Sequence, residues 1–316
     1  FMTHVVGGAE VASEKVSRSA FVLYLFFINM GAAHHLMSDP GVSAAWRIWN
    51  TSYAAYGAVI ASMIHAFAIP AGLEVGRRKR GEGGGTFGWL WSAPWKDPGF
   101  SATMLSIILF GFLGGITGVM MGQMQLNMTW HNTLATVGHF HATVATGTTL
   151  AFMGLGYYVL RLVFGREWIA RPIATIQPYL YGGAMGVTSL MMMYLGILYG
   201  IPRRHPSVMD IPGTEFSFAA ARPLFVIFGV MALISILGGA LFVAVAVGSL
   251  LVGDRYQGGL PVERPTAVAD GGDNDDTAHH LLSMRGTFIL TSAFLGVFVV
   301  MWALNWYLLS QLWQVG

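Results

Sequence analysis

Long apolar stretches separated by short polar ones dominate the hydropathy pattern of this chain. Seven of them carry almost no charged side chain: residues 19–37, 51–75, 101–122, 134–160, 176–200, 223–252 and 287–313. Each is long enough to cross a bilayer as a helix, because the apolar core of a membrane needs about 20 helical residues. We therefore predict an all-α, polytopic membrane helix bundle with about seven transmembrane helices.

The composition supports a membrane protein and narrows its chemistry. Only 10% of the 316 residues are charged and 54% are hydrophobic, whereas soluble domains carry about 25% charged residues. The net charge of +2 gives no sign of nucleic-acid binding. Without cysteine, the chain cannot form a disulfide, an iron–sulfur cluster, a thiolate haem ligand or a CxxCH haem attachment. The ten histidines are thus the obvious ligands for a soft metal.

Basic residues predict the orientation of the seven spans. Of the 17 lysines and arginines, all but Arg47, Arg203, Arg204 and Arg222 fall on one side. Since positive loops mark the cytoplasmic side, we predict a protein of the cell inner (cytoplasmic) membrane with its N-terminus inside and its C-terminus outside. In this orientation, the histidine pairs at residues 34–35 and 139–141 lie at a similar depth in the membrane, near its outer face.

We interpret residues 1–316 as a single membrane domain with one long cytoplasmic loop. Residues 253–283 contain a diglycine, two prolines and an acidic patch, which predicts a solvated connection. His279 and His280 lie in this loop and are interpreted as surface residues. Residues 1–4 have neither an initiator methionine at position 1 nor a signal-peptide pattern, so we expect preceding sequence to be missing or to lie in another chain.

The histidine pair His139 and His141 lies inside the uncharged run 134–160. Ionisable groups within a membrane are costly and usually functional. At about 100° per residue, the two rings leave opposite sides of one helix. One interpretation is that each ring satisfies a polar neighbour in the bundle. The sharper hypothesis is that each ring binds a separate haem iron.

His34 and His35 form a second pair near the outer end of the first run. Adjacent residues on a helix point about 100° apart, so both rings can reach one ion only if it lies between them near the helix end. Imidazole suits copper, zinc and iron. Two ligands are too few for a stable site, and a third must come from elsewhere.

Together these motifs identify a family. Residues 34–41, 131–133, 138–141 and 201–204 resemble the C-terminal half of subunit I of the haem-copper oxidases, most closely the B-type terminal oxidases. The resemblance covers essentially the whole chain in order, including residues 71–74, 87–89 and 94–95. It implies that the seven helices are part of a haem-copper oxidase core of twelve or more helices.

The resemblance also implies metal ligands. His34 and His35 would be two of the three histidines on the active-site copper. His139 would be the proximal ligand of the high-spin haem, and His141 would be one axial ligand of the low-spin haem. The implied cofactors are therefore two haems and one copper ion.

Further residues match positions near the haem propionates. Arg203 and Arg204 resemble a pair that binds propionates, and His131 corresponds to a histidine beside a propionate of the high-spin haem. Solvation in an outer loop is the alternative for all three. Asn127 stands where the closest relatives carry an aspartate, which removes a protonatable partner and puts proton pumping in doubt.

Ser62 and His65 share one face of the second run, because they are three residues apart. By resemblance they align approximately with hydroxyl residues of a proton-input path, although the relatives have no histidine there. An imidazole can exchange protons near neutral pH. A packed polar residue is the alternative.

The resemblance implies the reaction and the partners of this subunit. Electrons from a cytochrome or blue-copper donor would pass through a copper-bearing subunit II and the low-spin haem, and dioxygen would be reduced to water, with proton translocation. The third copper histidine, its linked tyrosine and the second axial ligand would precede Phe1, so an N-terminal half of subunit I is a required partner. A nitric oxide reductase of the same superfamily is one alternative, which Phe140 disfavours and Asn127 leaves open. A colourless transporter or scaffold is the other.

Overall fold

The computed structural model describes residues 14–31, 37–82, 84–204, 218–258 and 284–312. Within these ranges the regular structure is entirely helical. The described residues form no β-strand, only two isolated antiparallel bridges, Thr133 with Pro202 and Arg166 with Arg255. The predicted all-α fold is confirmed.

The helices coincide with the apolar runs of the sequence. In chain order they are α1 Glu14–Gly31, α2 Ala44–Trp49, π1 Asn50–Ala54, α3 Ala55–Lys79, α4 Gly88–Trp91, α5 Pro98–Leu109, π2 Phe110–Gly115, α6 Ile116–Met121, α7 Met124–Trp130, α8 Leu134–Phe140, π3 His141–Thr148, α9 Thr149–Leu162, α10 Arg171–Tyr199, a 3₁₀ turn Phe218–Ala221, α11 Arg222–Val252 and α12 Arg285–Leu312. Each of the seven predicted runs overlaps one continuous helical unit, meaning either a single helix or α and π segments that follow one another directly.

Four helical units among the described residues are long and apolar enough to span a membrane. They are Tyr56–Lys79, Pro98–Met121, Arg171–Tyr199 and Arg222–Val252. These units make the chain a membrane protein. The total of seven spans stays a prediction.

The helix ends obey the local signals in the sequence. The Asp97 carboxylate accepts a hydrogen bond from the Phe100 backbone N–H at 2.9 Å and caps α5, and Pro98 occupies the first turn, where a missing N–H costs nothing. Gly200 ends α10 with φ of 61°, a left-handed conformation that favours glycine. Sequence chemistry therefore sets where these helices begin and end.

Helix α10 lies at the centre of the bundle and packs against α5, α8, π3 and α11. The buried Gln177 links it to two neighbours: its Oε1 accepts a hydrogen bond from the Tyr157 hydroxyl at 3.0 Å, and its Nε2 donates to the Gly238 carbonyl at 3.0 Å. Because lipid offers polar groups no hydrogen-bonding partners, these contacts tie α9, α10 and α11 into one unit.

Three π-helical segments interrupt the apolar helices, and two of them pack together. A Cβ on Gly114 of π2 would lie 2.7 Å from the Thr143 methyl carbon of π3, and a Cβ on Gly147 of π3 would overlap the Phe110 ring of π2. Glycine at these two positions permits close approach of the two segments. The third and fourth apolar units are therefore in contact where both depart from α-helical geometry.

A charged cluster holds the opposite end of these helices. Arg161 lies 3.9 Å from Asp97, pairs with Glu167 and stacks over the Trp168 ring at 3.2 Å. Burial raises the pKa of Asp97, while its hydrogen bond from Phe100 and the charge of Arg161 oppose this rise. The cluster fixes the start of α5 against the end of α9.

The beginning of the predicted loop 253–283 is part of this packed end. The Glu167 N–H donates to the Asp254 carbonyl, and the Tyr256 N–H donates to the Gly165 carbonyl, both at 2.8 Å. Residues 253–256 are thus anchored to the turn after α9. Residues 259–283, including His279 and His280, lie outside the described residues.

A buried carboxylate anchors the last helix. Glu74, at 0% exposure, accepts hydrogen bonds from the backbone N–H groups of Gly286 (3.2 Å) and Thr287 (2.8 Å) and from the Arg78 guanidinium (2.7 Å). A negative charge at the N-terminus of α12 also complements the helix dipole. Glu74 therefore joins α3 to the start of α12.

Glu74→Gln is expected to lower the thermal unfolding midpoint, because an amide nitrogen would replace an acceptor that faces several donors. The loss should correspond to about 1–3 kcal/mol, the cost of unsatisfied buried hydrogen-bonding groups. Glu82→Gln is the control: its carboxylate pairs with Arg77 and Arg80 at 41% exposure, where ion pairs contribute at most about 1 kcal/mol. Equal midpoints for the two variants in detergent would contradict the assigned anchor.

Candidate functional site

Helix α8, which carries His139, lies flush against α10. Thr133 caps it, since its hydroxyl oxygen accepts a hydrogen bond from the Ala135 N–H at 3.2 Å. A Cβ on Gly138 would lie 2.7 Å from the backbone nitrogen of Met193 and from the Ser189 carbonyl oxygen. The two backbones therefore meet directly, and α10 determines the position of the histidine helix.

His139 is buried, at 5% exposure. Its Nδ1 lies 2.9 Å from the Thr117 hydroxyl, which itself donates to backbone carbonyl oxygens of Leu113 and Gly114. When that single hydroxyl hydrogen points to a carbonyl oxygen, Thr117 accepts from His139, and we therefore assign the ring proton to Nδ1 and the lone pair to Nε2. Gly118 lies against the ring: a Cβ there would be 3.0 Å from Cε1.

His141 has the same tautomer for a different reason. Its Nδ1 lies 2.8 Å from the Val137 carbonyl oxygen, which can only accept a hydrogen bond. The proton is therefore on Nδ1 and the lone pair is again on Nε2. Phe140, 53% exposed, meets the His141 ring edge to face with the centroids 6.1 Å apart. A metal-binding histidine usually donates a hydrogen bond through one ring N–H, here Nδ1–H, and binds the metal through its other ring nitrogen, here Nε2.

The turn before α8 is bonded to the segment after α10. The Leu134 N–H donates to the Ile201 carbonyl at 2.8 Å, and the Arg203 N–H donates to the Asn132 carbonyl at 2.9 Å. The Arg203 Nε is buried and has no hydrogen-bond partner among the described residues, while Arg204 is exposed. An arginine with an unmatched buried donor fits an anionic ligand such as a carboxylate.

His131 and Asn127 each contact the segment between α1 and α2. The His131 Nε2 lies 3.0 Å from an Asp39 carboxylate oxygen. The buried Asn127 accepts a hydrogen bond from the Ser38 hydroxyl at 2.7 Å and donates to the Met121 carbonyl at 3.0 Å. A carboxylate thus lies beside His131 although residue 127 is an amide.

The copper prediction falls on residues that the structure does not describe. His34 and His35 lie outside the described residues, which resume at Met37. Within the described ranges, no group of three or more histidine, aspartate or glutamate side chains could hold a metal ion. The copper ligand set therefore stays a prediction from sequence.

Ser62 and His65 both lie on α3 and are half-buried. The Ser62 hydroxyl donates to the Ala58 carbonyl of its own helix at 2.8 Å. Nothing in these contacts tests the predicted proton path, which stays a prediction.

The hydrogen-bonding partners of two site histidines were not predicted from the sequence. Thr117 and Asp39, which contact His139 and His131, are far from them along the chain. Thr117 and Gly118 occur in the glycine-rich third run, and an added Cβ on Gly118 would meet the ring of His139.

The fold defines an integral membrane protein in which α8 and π3 together carry two buried or half-buried histidines. Residues 1–241 match the family model described as Cytochrome C and Quinol oxidase polypeptide I. The chain belongs to this family. The resemblance to subunit I of the haem-copper oxidases is thereby confirmed, while the B-type subdivision stays a prediction.

Individual relatives agree with this membership. Cytochrome c oxidase subunit 1 of Thermus thermophilus is 31% identical over 237 residues, which cover 73% of this chain and 40% of that protein. The Debaryomyces hansenii protein of the same description is 29% identical over 187 residues, covering 58% and 31%. A solved structure of a heme-copper terminal oxidase dimer has a TM-score of 0.71 at 25% identity, covering 92% of this chain and 50% of that chain. The chain thus spans about half or less of the length of these relatives.

Proposed function

We propose that this chain forms the C-terminal part of the catalytic subunit of a haem-copper terminal oxidase, which reduces dioxygen to water. The observation that carries this proposal is that His139 and His141, two residues apart on one helix, each have a hydrogen-bonding partner at Nδ1: the Thr117 hydroxyl and the Val137 carbonyl. Two such rings on one helix provide one ligand each for two haem irons.

The roles rest on the family membership and on the contacts of each side chain. His139 binds the high-spin haem and is oriented by Thr117; His141 binds the low-spin haem and is oriented by the Val137 carbonyl. His34 and His35 supply two copper ligands. The haems and copper, when bound, supply the redox chemistry, and the protein controls ligand orientation and access.

Arg203, Arg204 and His131 are proposed to bind haem propionates. The buried, unmatched Nε of Arg203 supports this role, since guanidinium groups bind carboxylates with paired hydrogen bonds. Asn127 has no ionisable group, whereas the Asp39 carboxylate lies beside His131. We include proton translocation in the proposal, with Ser62 and His65 on the input side.

The partners in this proposal are the N-terminal half of subunit I, a copper-bearing subunit II and a cytochrome or blue-copper donor. The excess of basic residues in alternate loops supports placement in the inner membrane with the N-terminus on the cytoplasmic side.

The complex purified from membranes tests the function. We expect a reduced-minus-oxidised spectrum with two haems, copper by metal analysis, and oxygen consumption with a reduced donor. Faster consumption of nitric oxide than of oxygen, with iron in place of copper, would instead indicate a nitric oxide reductase, the alternative that Asn127 leaves open. A colourless protein would indicate a transporter or scaffold.

A further inference from the structure

The low-spin haem ligand of the proposed function lies at a junction between two kinds of helix. Helix α8 ends at Phe140, and His141 is the first residue of π3, which continues to Thr148. A π-helix bonds residue i to residue i+5 and is rare, and it usually occurs as a single-turn bulge within an α-helix. We therefore expect side-chain contacts in and around this helix to stabilise the eight-residue π segment.

Threonine hydroxyls within the histidine helix supply part of this stabilisation. Thr146 donates to the His141 carbonyl at 3.0 Å, Thr148 to the Thr143 carbonyl at 3.3 Å, and Thr149 to the Val144 carbonyl at 3.0 Å. Each hydroxyl bonds the carbonyl five residues before it, so these side chains reinforce the π spacing. The contact from Thr146 reaches the haem-ligating residue itself.

Two further donors come from neighbouring helices. The Tyr181 hydroxyl of α10 donates to the Ala145 carbonyl at 2.6 Å, and the Ser106 hydroxyl of α5 donates to the Gly147 carbonyl at 2.7 Å. Ser106 is buried, and Tyr181 is 7% exposed. Both bonds join backbone carbonyl groups of π3 to neighbouring helices.

The register matters because a shift of one residue along a helix corresponds to a rotation of about 100°. If π3 relaxed towards α-helix, the chain on one side of His141 would turn relative to the other. His139 precedes this junction and is held by Thr117 and Gly118 of a different helix. The Nδ1 of His141, the first residue of π3, contacts the Val137 carbonyl of α8, so this contact spans the junction between the two segments.

We propose that Tyr181 and Ser106 are positioning residues, whose hydroxyls maintain π3 and thereby fix the orientation of His141 as a ligand of the low-spin haem. This inference rests on the proposed function and deepens it. It assigns to two buried hydroxyls a role that acts on one haem and not on the other.

The test compares Tyr181→Phe and Ser106→Ala with matched controls in the complete haem-loaded complex. Tyr179→Phe removes a hydroxyl on the same helix that donates to the Trp95 carbonyl at 2.7 Å, and Ser101→Ala removes one on α5 that bonds its own helix at Pro98. The measurements are the electron paramagnetic resonance g-values of the low-spin haem, its reduced absorption band and its midpoint potential. These quantities report ligand orientation and second-shell bonding.

We expect both test variants to shift the g-values, the reduced band and the midpoint potential of the low-spin haem, and the double variant to shift them most. The high-spin haem should be unchanged in these variants. Both control variants should match the wild type. Wild-type low-spin signals in the double variant would overturn the proposal, as would equal shifts in Tyr179→Phe or in the high-spin haem. If Tyr181→Phe does not assemble, Ser106→Ala decides by the same criteria. A wild-type complex without low-spin haem would overturn the proposed function itself, a result distinct from failure of the positioning role alone.

Discussion

His139→Ala removes the high-spin haem from the purified complex and retains most of the low-spin haem, whereas His141→Ala does the opposite. On the proposed assignment, each substitution deletes an imidazole ligand of one haem iron and leaves the ligand of the other haem in place. We expect the occupancy of the affected haem to fall about tenfold or more, since even the loss of a supporting residue costs about 10–100-fold in metal affinity. Carbon monoxide difference spectra report the high-spin haem, and the reduced absorption band reports the low-spin haem.

His65→Ala is a suitable control, because His65 is also a half-buried imidazole in a membrane helix but has no assigned haem. It should retain both haems. Retention of both haems in either His139→Ala or His141→Ala would show that the ligand assignment is wrong. Loss of both haems in each variant would instead indicate that the histidines support folding and do not select between two centres.

The sequence predicted the helices of this fold well, because lipid requires long apolar segments and each such segment satisfies its own backbone. It did not predict the π-helical segments. Hydropathy does not distinguish α from π geometry, since either helix satisfies its own backbone within one apolar run. The donors that stabilise π3, Tyr181 and Ser106, lie on other helices and become visible only when those helices are packed together.

For similar reasons, the sequence predicted the histidines of the candidate site but not their hydrogen-bonding partners. The histidine pair was evident from its place in an uncharged run, and its spacing suggested two centres. The tautomers could not be predicted, because they depend on the Thr117 hydroxyl from another helix and on the Val137 carbonyl. The same is true of the Asp39 carboxylate beside His131. Contacts between residues that are far apart along the chain form only when the helices pack together.

Gly196→Ala should damage the site without touching any proposed ligand. A Cβ at position 196 of α10 would overlap the backbone nitrogen of Ala135, one helical turn before His139. Backbone atoms cannot move aside as a flexible side chain can, so α8 must move away from α10. Overpacking of this kind costs about 1–3 kcal/mol, and sometimes more. We expect a lower thermal midpoint together with reduced occupancy of both haems, measured by pyridine haemochrome content.

Gly183→Ala is the matched control, because it makes the same change on the same helix at a position where an added Cβ has no atom within 4 Å. Alanine also favours the helix over glycine by about 1 kcal/mol, so this variant should equal or exceed wild type in stability and retain its haems. If Gly196→Ala behaved like Gly183→Ala, the close seating of α8 on α10 would not be what positions His139. A loss confined to Gly196→Ala would instead show that backbone contact between these helices controls the haem ligands from a distance.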